Sequence, residues 1–203
     1  MVTLAIDTST PRGSVAVHAF GQIVFEEQFN ADRSHSAALF SILERARMCA
    51  ARFDQVAVGI GPGSYAGVRI AIAAAMAFEL TLNSLLVGIP SILALETNAS
   101  SYVAIGDARR GSYYFSHVAN GECVKGPVLA SETEVRGWIA EHPLVPVLAT
   151  MEMEPFPTVE IVRPCAARLA TLAELGRGVV QTVNLEPLYL RPPHITQAKK
   201  RSR

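Results

Sequence analysis

The stretch GPGSYAGVRI, residues 61–70, decides how this chain is read. It follows a short apolar run, QVAVGI at 55–60, and opens a long apolar segment. A glycine-rich turn between a strand and a helix either cradles phosphate or lets backbones approach closely. The Walker pattern GxxxxGK[ST] fails, because Gly67 is followed by Val68 and Arg69 and the glycine spacing is wrong. Gly61, Gly63 and Ala66 do match the dinucleotide fingerprint GxGxxG/A. That fingerprint also requires an acidic residue near the end of the following strand. Here that strand closes as Val87-Gly88-Ile89-Pro90-Ser91 without a carboxylate, so a nicotinamide domain is a weak reading. The glycines then serve a tight turn and close helix approach at Gly67.

The helix expected over 64–82 has six alanines between Ala66 and Ala77, and Arg69, Glu79 and Thr81 project in different directions. No polar face exists, which predicts burial nearly all round: against its own sheet, and on the other side against more of the fold or a partner.

Outward from this segment, VTLAI at 2–6 reads as a buried strand, and 13–19 with 23–29 as a hairpin across Phe20-Gly21-Gln22. A helix over about 34–50 carries Leu39, Ile42, Leu43 and Ala46 as one stripe. Strands are expected at 55–60, 85–89, 102–107 and 112–118, with a short helix from Pro90 to about Asn98. Beyond Gly121 prolines interrupt the pattern; helices near 131–141 and 166–180 and a strand near 145–149 remain, then an extended end. No internal repeat is visible. Strand, hairpin, helix, strand, helix, strand is the order of an actin-like or ribonuclease-H-like α/β lobe with a mixed sheet. The expected division is an N-terminal lobe over 1–100, a smaller, reduced second lobe over 101–194 and a basic tail over 195–203.

Composition narrows the function. The 203 residues are half apolar, and Lys+Arg and Asp+Glu are both 18. A neutral domain lacks the electrostatic footprint of a nucleic-acid binder. Cys49, Cys123 and Cys165 are far apart and show no metal-ligand spacing, which suits a reducing compartment. No signal peptide is read, and the longest apolar stretch looks too short for a bilayer. The expected location is the cytoplasm. Asp7, Thr8 and Ser9 end the first strand, where actin-like ATPases hold a metal-bound nucleotide; the plainer reading is a self-satisfied turn. An enzyme using Asp7, an ATPase or a peptidase-like one, is the alternative function, although Ser64 has no His/Asp context.

Several motifs occur in one order: LAIDTST with SVAV, SH at 34–35, GIGPGSYAGVRI, DARRGSYYF and EPLYLRPPHI. Together they resemble the bacterial TsaB (YeaZ) family over essentially the whole chain. The resemblance implies an actin-like (ASKHA) fold and a non-catalytic scaffold that supports the TsaD transferase in making threonylcarbamoyladenosine beside the tRNA anticodon. It implies as partners a TsaD-like subunit, a TsaE-like ATPase, tRNA through the complex and a possible homodimer, with no membrane and no cofactor. The family's interface helices fall on 34–50 and 64–82. That makes His35, Leu39, Ile42, Tyr65, Val68, Arg69, Ile72, Ala75 and Met76 the expected interface residues. The catalytic relatives' HxxxH metal pair corresponds to Ser91 and Leu95, so no metal site is expected. Ala66 and Ala71 depart from the family's usual Thr and Gly, which bears on helix packing.

Overall fold

The computed structural model describes residues 1–30 and 35–191, without the side chains of His35 and Ser36. Strands β1 (Thr3–Asp7), β2 (Arg12–Ala19) and β3 (Gln22–Asn30) are followed by α1 (His35–Met48), β4 (Gln55–Gly59), α2 (Tyr65–Leu82) and β5 (Leu85–Ile89). They form a five-stranded sheet in the order β3-β2-β1-β4-β5. The hairpin strands pair antiparallel, and β1, β4 and β5 run parallel. A 3-10 helix (Ser91–Ala94) leads to β6 (Ser101–Asp107), β7 (Ser112–Ala119), β8 (Glu122–Ser131), α3 (Glu132–Glu141), β9 (Val147–Ala149), β10 (Glu160–Ile161) and α4 (Ala166–Glu174). The second sheet has the order β10-β9-β6-β7-β8. This is the first sheet's topology repeated, with α3 in the place of α1. The helix corresponding to α2 is missing between β9 and β10, and β10 is two residues long. The repeat is invisible in sequence because the two halves share a strand order, not residues.

Strand periodicity sets the layers. Leu4, Ile6, Val15, Val17, Val56 and Val58 point from the first sheet into a core with α1 and α2. The alternating residues Ala5, Ala16 and Ala57 face α4, which meets them with Ala166, Ala170 and Ala173. Small residues on both sides let α4 lie close to the sheet. Its remaining contacts reach Tyr102, Ala104 and Leu148 of the second sheet, so α4 is packed between the two sheets. α3 covers the outer face of the second sheet through Val135. Its N-terminus is closed by a capping box between Ser131 and Glu134.

Four sequence expectations change. β8 was hidden by Gly126 and Pro127; it is an edge strand, and an edge tolerates a proline where the pairing slips. The turn after Pro90 is a single 3-10 turn, because Leu95 is already extended and bridges Pro164. α4 stops at Glu174, where Gly176 takes a left-handed φ of +63° and its N–H caps Ala173. α2 is not buried all round: only its Gly67, Val68, Ala71, Ile72, Ala74 and Ala75 are. α2 is also long and apolar enough, by length and composition, to cross a membrane, although a third of it lies in the core.

Candidate functional site

The GPGSYAG turn is built onto the end of β1. Gly61 has φ +91°, a conformation that favours glycine, and turns the chain from β4 toward α2. A Cβ added at Gly63 would lie 2.2 Å from the Ser9 carbonyl oxygen, and one at Gly67 would lie 1.9 Å from that of Thr8. The close approach is hydrogen-bonded from both sides. The Ser64 N–H donates to the Ser9 carbonyl at 2.7 Å, and the Thr8 hydroxyl donates to the Gly67 carbonyl at 2.7 Å. Ser64 caps α2 by accepting the Gly67 N–H at 3.2 Å. The glycines therefore serve packing: they let the start of α2 close on the backbone of Thr8 and Ser9.

Asp7 is buried, 1% exposed, on the sheet face that carries Ala5 rather than the face under α2, with its carboxylate beside Gly59 and Ser91. Its Oδ1 accepts the Ser9 N–H at 2.9 Å and the Ser9 hydroxyl at 2.7 Å. Its Oδ2 has no partner of ordinary hydrogen-bond geometry. Burial pushes the carboxyl above its usual range, and the hydroxyls of Ser9 and nearby Ser91 and the Ser9 N–H offset part of that. Ser91 is itself engaged, accepting the Gly61 N–H at 3.1 Å. Asp7, Thr8 and Ser9 thus form a self-satisfied turn on one oxygen and an orphaned acceptor on the other.

A cleft of about 700 Å³ opens beside this turn, at the carboxyl ends of β1, β6 and β9. Ser9, Ser64 and Tyr65 line it from one side, and Asp107, Arg109 and Arg191 from others; Asp7 does not reach it. Asp107 ends β6 as Asp7 ends β1, a correspondence that the sequence reading missed. The signal was present in DARRG, but it read only as a turn. Asp107 is used locally: its Oδ1 accepts the Arg109 N–H at 2.7 Å and its Oδ2 lies 3.5 Å from the Arg109 guanidinium.

The expected interface residues divide into two groups. Leu39, Ile42, Val68, Ile72 and Ala75 are buried in the chain's own first core. They hold α1 and α2 to the sheet, so in this chain their side chains are core. Tyr65, Arg69 and Met76 are exposed. His35 has its side chain outside the described residues, as does the whole basic tail. Ala66, Ala73, Ala77 and Leu80, which the sequence reading did not single out for the interface, are exposed too. With Arg69 and Met76 they recur at helical spacing and form one solvent-facing stripe along α2. Leu80 is 83% exposed. On neighbouring α1, which packs on the same sheet face, Phe40 is also exposed.

A family model described as TsaD, tRNA N6-adenosine threonylcarbamoyltransferase, matches residues 27–133. An uncharacterized protein of Mycobacterium tuberculosis is 31% identical over 198 residues, covering 94% of this chain and 92% of that protein. The tRNA threonylcarbamoyladenosine biosynthesis protein TsaB of Bacillus subtilis is 30% identical over 122 residues, 56% of this chain and 53% of that protein. The solved structure of YeaZ from Pseudomonas aeruginosa superposes with a TM-score of 0.71 at 25% identity, covering 93% of this chain and 99% of that one. The fold is an actin-like (ASKHA) α/β fold with two mixed sheets, the second reduced. With the motif order, the two-sheet topology and these likenesses in agreement, the chain belongs to the TsaB (YeaZ) family, within the group that the TsaD family model matches.

Proposed function

We propose that this chain is a non-catalytic subunit in the synthesis of threonylcarbamoyladenosine on tRNA, and that it docks a TsaD-type transferase through the exposed face of α2. The observation that carries the reading is an apolar stripe left in water on a helix whose opposite side is core. A largely exposed Leu and a half-exposed Met on one helix face cost free energy that a partner recovers. Complete burial of each is worth about 1.5–3 kcal/mol. The burial of Asp7, whose carboxylate does not line the cleft, supports a scaffold over an Asp7-dependent ATPase or peptidase-like enzyme. In this reading a TsaE-like ATPase joins the complex, tRNA is reached through it, and the same face serves a homodimer when the transferase is absent. The division into lobes at about residue 100 and a cytoplasmic location belong to the same proposal.

The test is light-scattering chromatography of the chain alone and mixed with the transferase of its own organism. A one-to-one complex that Leu80→Asp abolishes, with the melting temperature of the chain unchanged, is the expected result. Absence of a complex at micromolar concentration, with both proteins folded, removes the proposal.

A further inference from the structure

We infer that Arg69 is a pre-positioned anchor for a carboxylate on the partner, so that the surface docking on α2 is an apolar one carrying an Asp or Glu. The inference rests on the docking reading above. Arg69 is the one charged residue in the stripe formed by Ala66, Ala73, Met76, Ala77 and Leu80. Among the described residues it makes no ion pair. Its side chain is nevertheless held. The guanidinium Nη1 donates to the Tyr65 hydroxyl, and its carbon lies 4.6 Å from the centre of the Tyr65 ring. Tyr65 is in turn packed on Tyr189, with ring centroids 5.6 Å apart. Tyr189 sits on the C-terminal segment, which is tied to the sheet by the Leu188 N–H donating to the Ile60 carbonyl at 2.8 Å. The row Tyr189, Tyr65, Arg69 therefore fixes a guanidinium at one point of the stripe.

That placement decides the partner's chemistry. Docking an apolar face over Arg69 strips water from the guanidinium, and its hydrogen bond to Tyr65 occupies only one of five donors. An uncompensated buried charge is strongly unfavourable, whereas a carboxylate meeting the planar fork replaces the lost water with charge-assisted bonds. The pre-organisation by Tyr65 lowers the entropy lost when the pair forms. The class of partner is thus an apolar surface that carries a carboxylate, not a uniformly apolar one.

The experiment titrates the full chain and four variants, Leu80→Asp among them, with the intact transferase at low and high salt. Arg69→Met is expected to weaken binding about tenfold to a hundredfold and to flatten its salt dependence, because it leaves the partner's carboxylate buried and unpaired. Arg69→Lys is expected to retain the salt dependence with part of the affinity, and Tyr189→Ala to lose a smaller fraction. Arg69 is exposed, so the folded state tolerates these changes, and a thermal melt checks it. If Arg69→Met binds as tightly as the wild type with the same salt dependence while Leu80→Asp abolishes binding, docking stands and the carboxylate anchor falls. A dimer of this chain that alone depends on Arg69, with transferase binding unmoved, places the carboxylate on a second copy and also overturns the assignment. A wild-type chain that binds no transferase removes the docking reading itself.

Discussion

Replacing Asp7 with Asn should stabilise this protein at neutral pH, and the gain should grow with pH. The native side chain is sealed, keeps two hydrogen bonds on Oδ1 and has none of ordinary geometry on Oδ2. Burial raises its pKa above the ordinary carboxylate value of 3.8. The folded chain therefore holds this proton to higher pH than the unfolded chain does. Stability from this group is greatest below pH 3.8 and falls as pH rises through the window up to the folded value, then stays level. Asn keeps the acceptor for the Ser9 N–H, carries no charge and turns a donor toward the side where Ser91 lies. At pH 3 or below, the protonated Asp and the Asn are near equivalents, so their stabilities should agree. At pH 7 Asn should be more stable by about 1–3 kcal/mol, the usual cost of a buried unsatisfied polar group, or several degrees in melting temperature. Urea unfolding of both proteins at pH 3, 5, 6, 7 and 8 isolates the effect, since other carboxylates cancel in the difference. A variant less stable than the wild type at pH 7, or a difference independent of pH, would refute the buried orphaned carboxylate.

Three further outcomes follow from the packing. Gly67→Ala should cost about 3 kcal/mol or more in urea unfolding, because its Cβ would stand 1.9 Å from the Thr8 carbonyl oxygen and backbone must move; a loss under 1 kcal/mol contradicts the close approach. Ile72→Asp should unfold the chain, while Leu80→Asp should leave its circular dichroism and melting temperature unchanged, since Ile72 is in the core and Leu80 in water; equal effects would mean that α2 is seated with a different face inward. Of the three thiols, Cys49 should react with a disulfide reagent at once and Cys165 last, because Cys49 is exposed and burial pushes the Cys165 thiol up to about 11; rapid labelling of Cys165 in the folded chain would refute its burial.

What the sequence by itself determined is local and periodic. The strand and helix order of the first half follows from alternating and 3.6-residue patterns, and β5 falls on Leu85–Ile89 as the apolar run predicts. GPGSYAGVRI marked the turn, because glycines without a phosphate-binding lysine leave packing as their reason, and it is one of the motifs that carry the resemblance to the family. The tertiary structure alone decided which side of α2 faces the core. A helix apolar on every side has no pattern to orient it, and only the sheet beneath it selects Val68, Ala71, Ile72 and Ala75 and leaves Ala73, Met76 and Leu80 in water. The same holds for the second half. β8 depends on an edge that tolerates Pro127, and the matching positions of Asp7 and Asp107 arise from a repeated strand order. Long-range pairing is not written in neighbouring residues, so local pattern names the elements and three-dimensional packing assigns their faces.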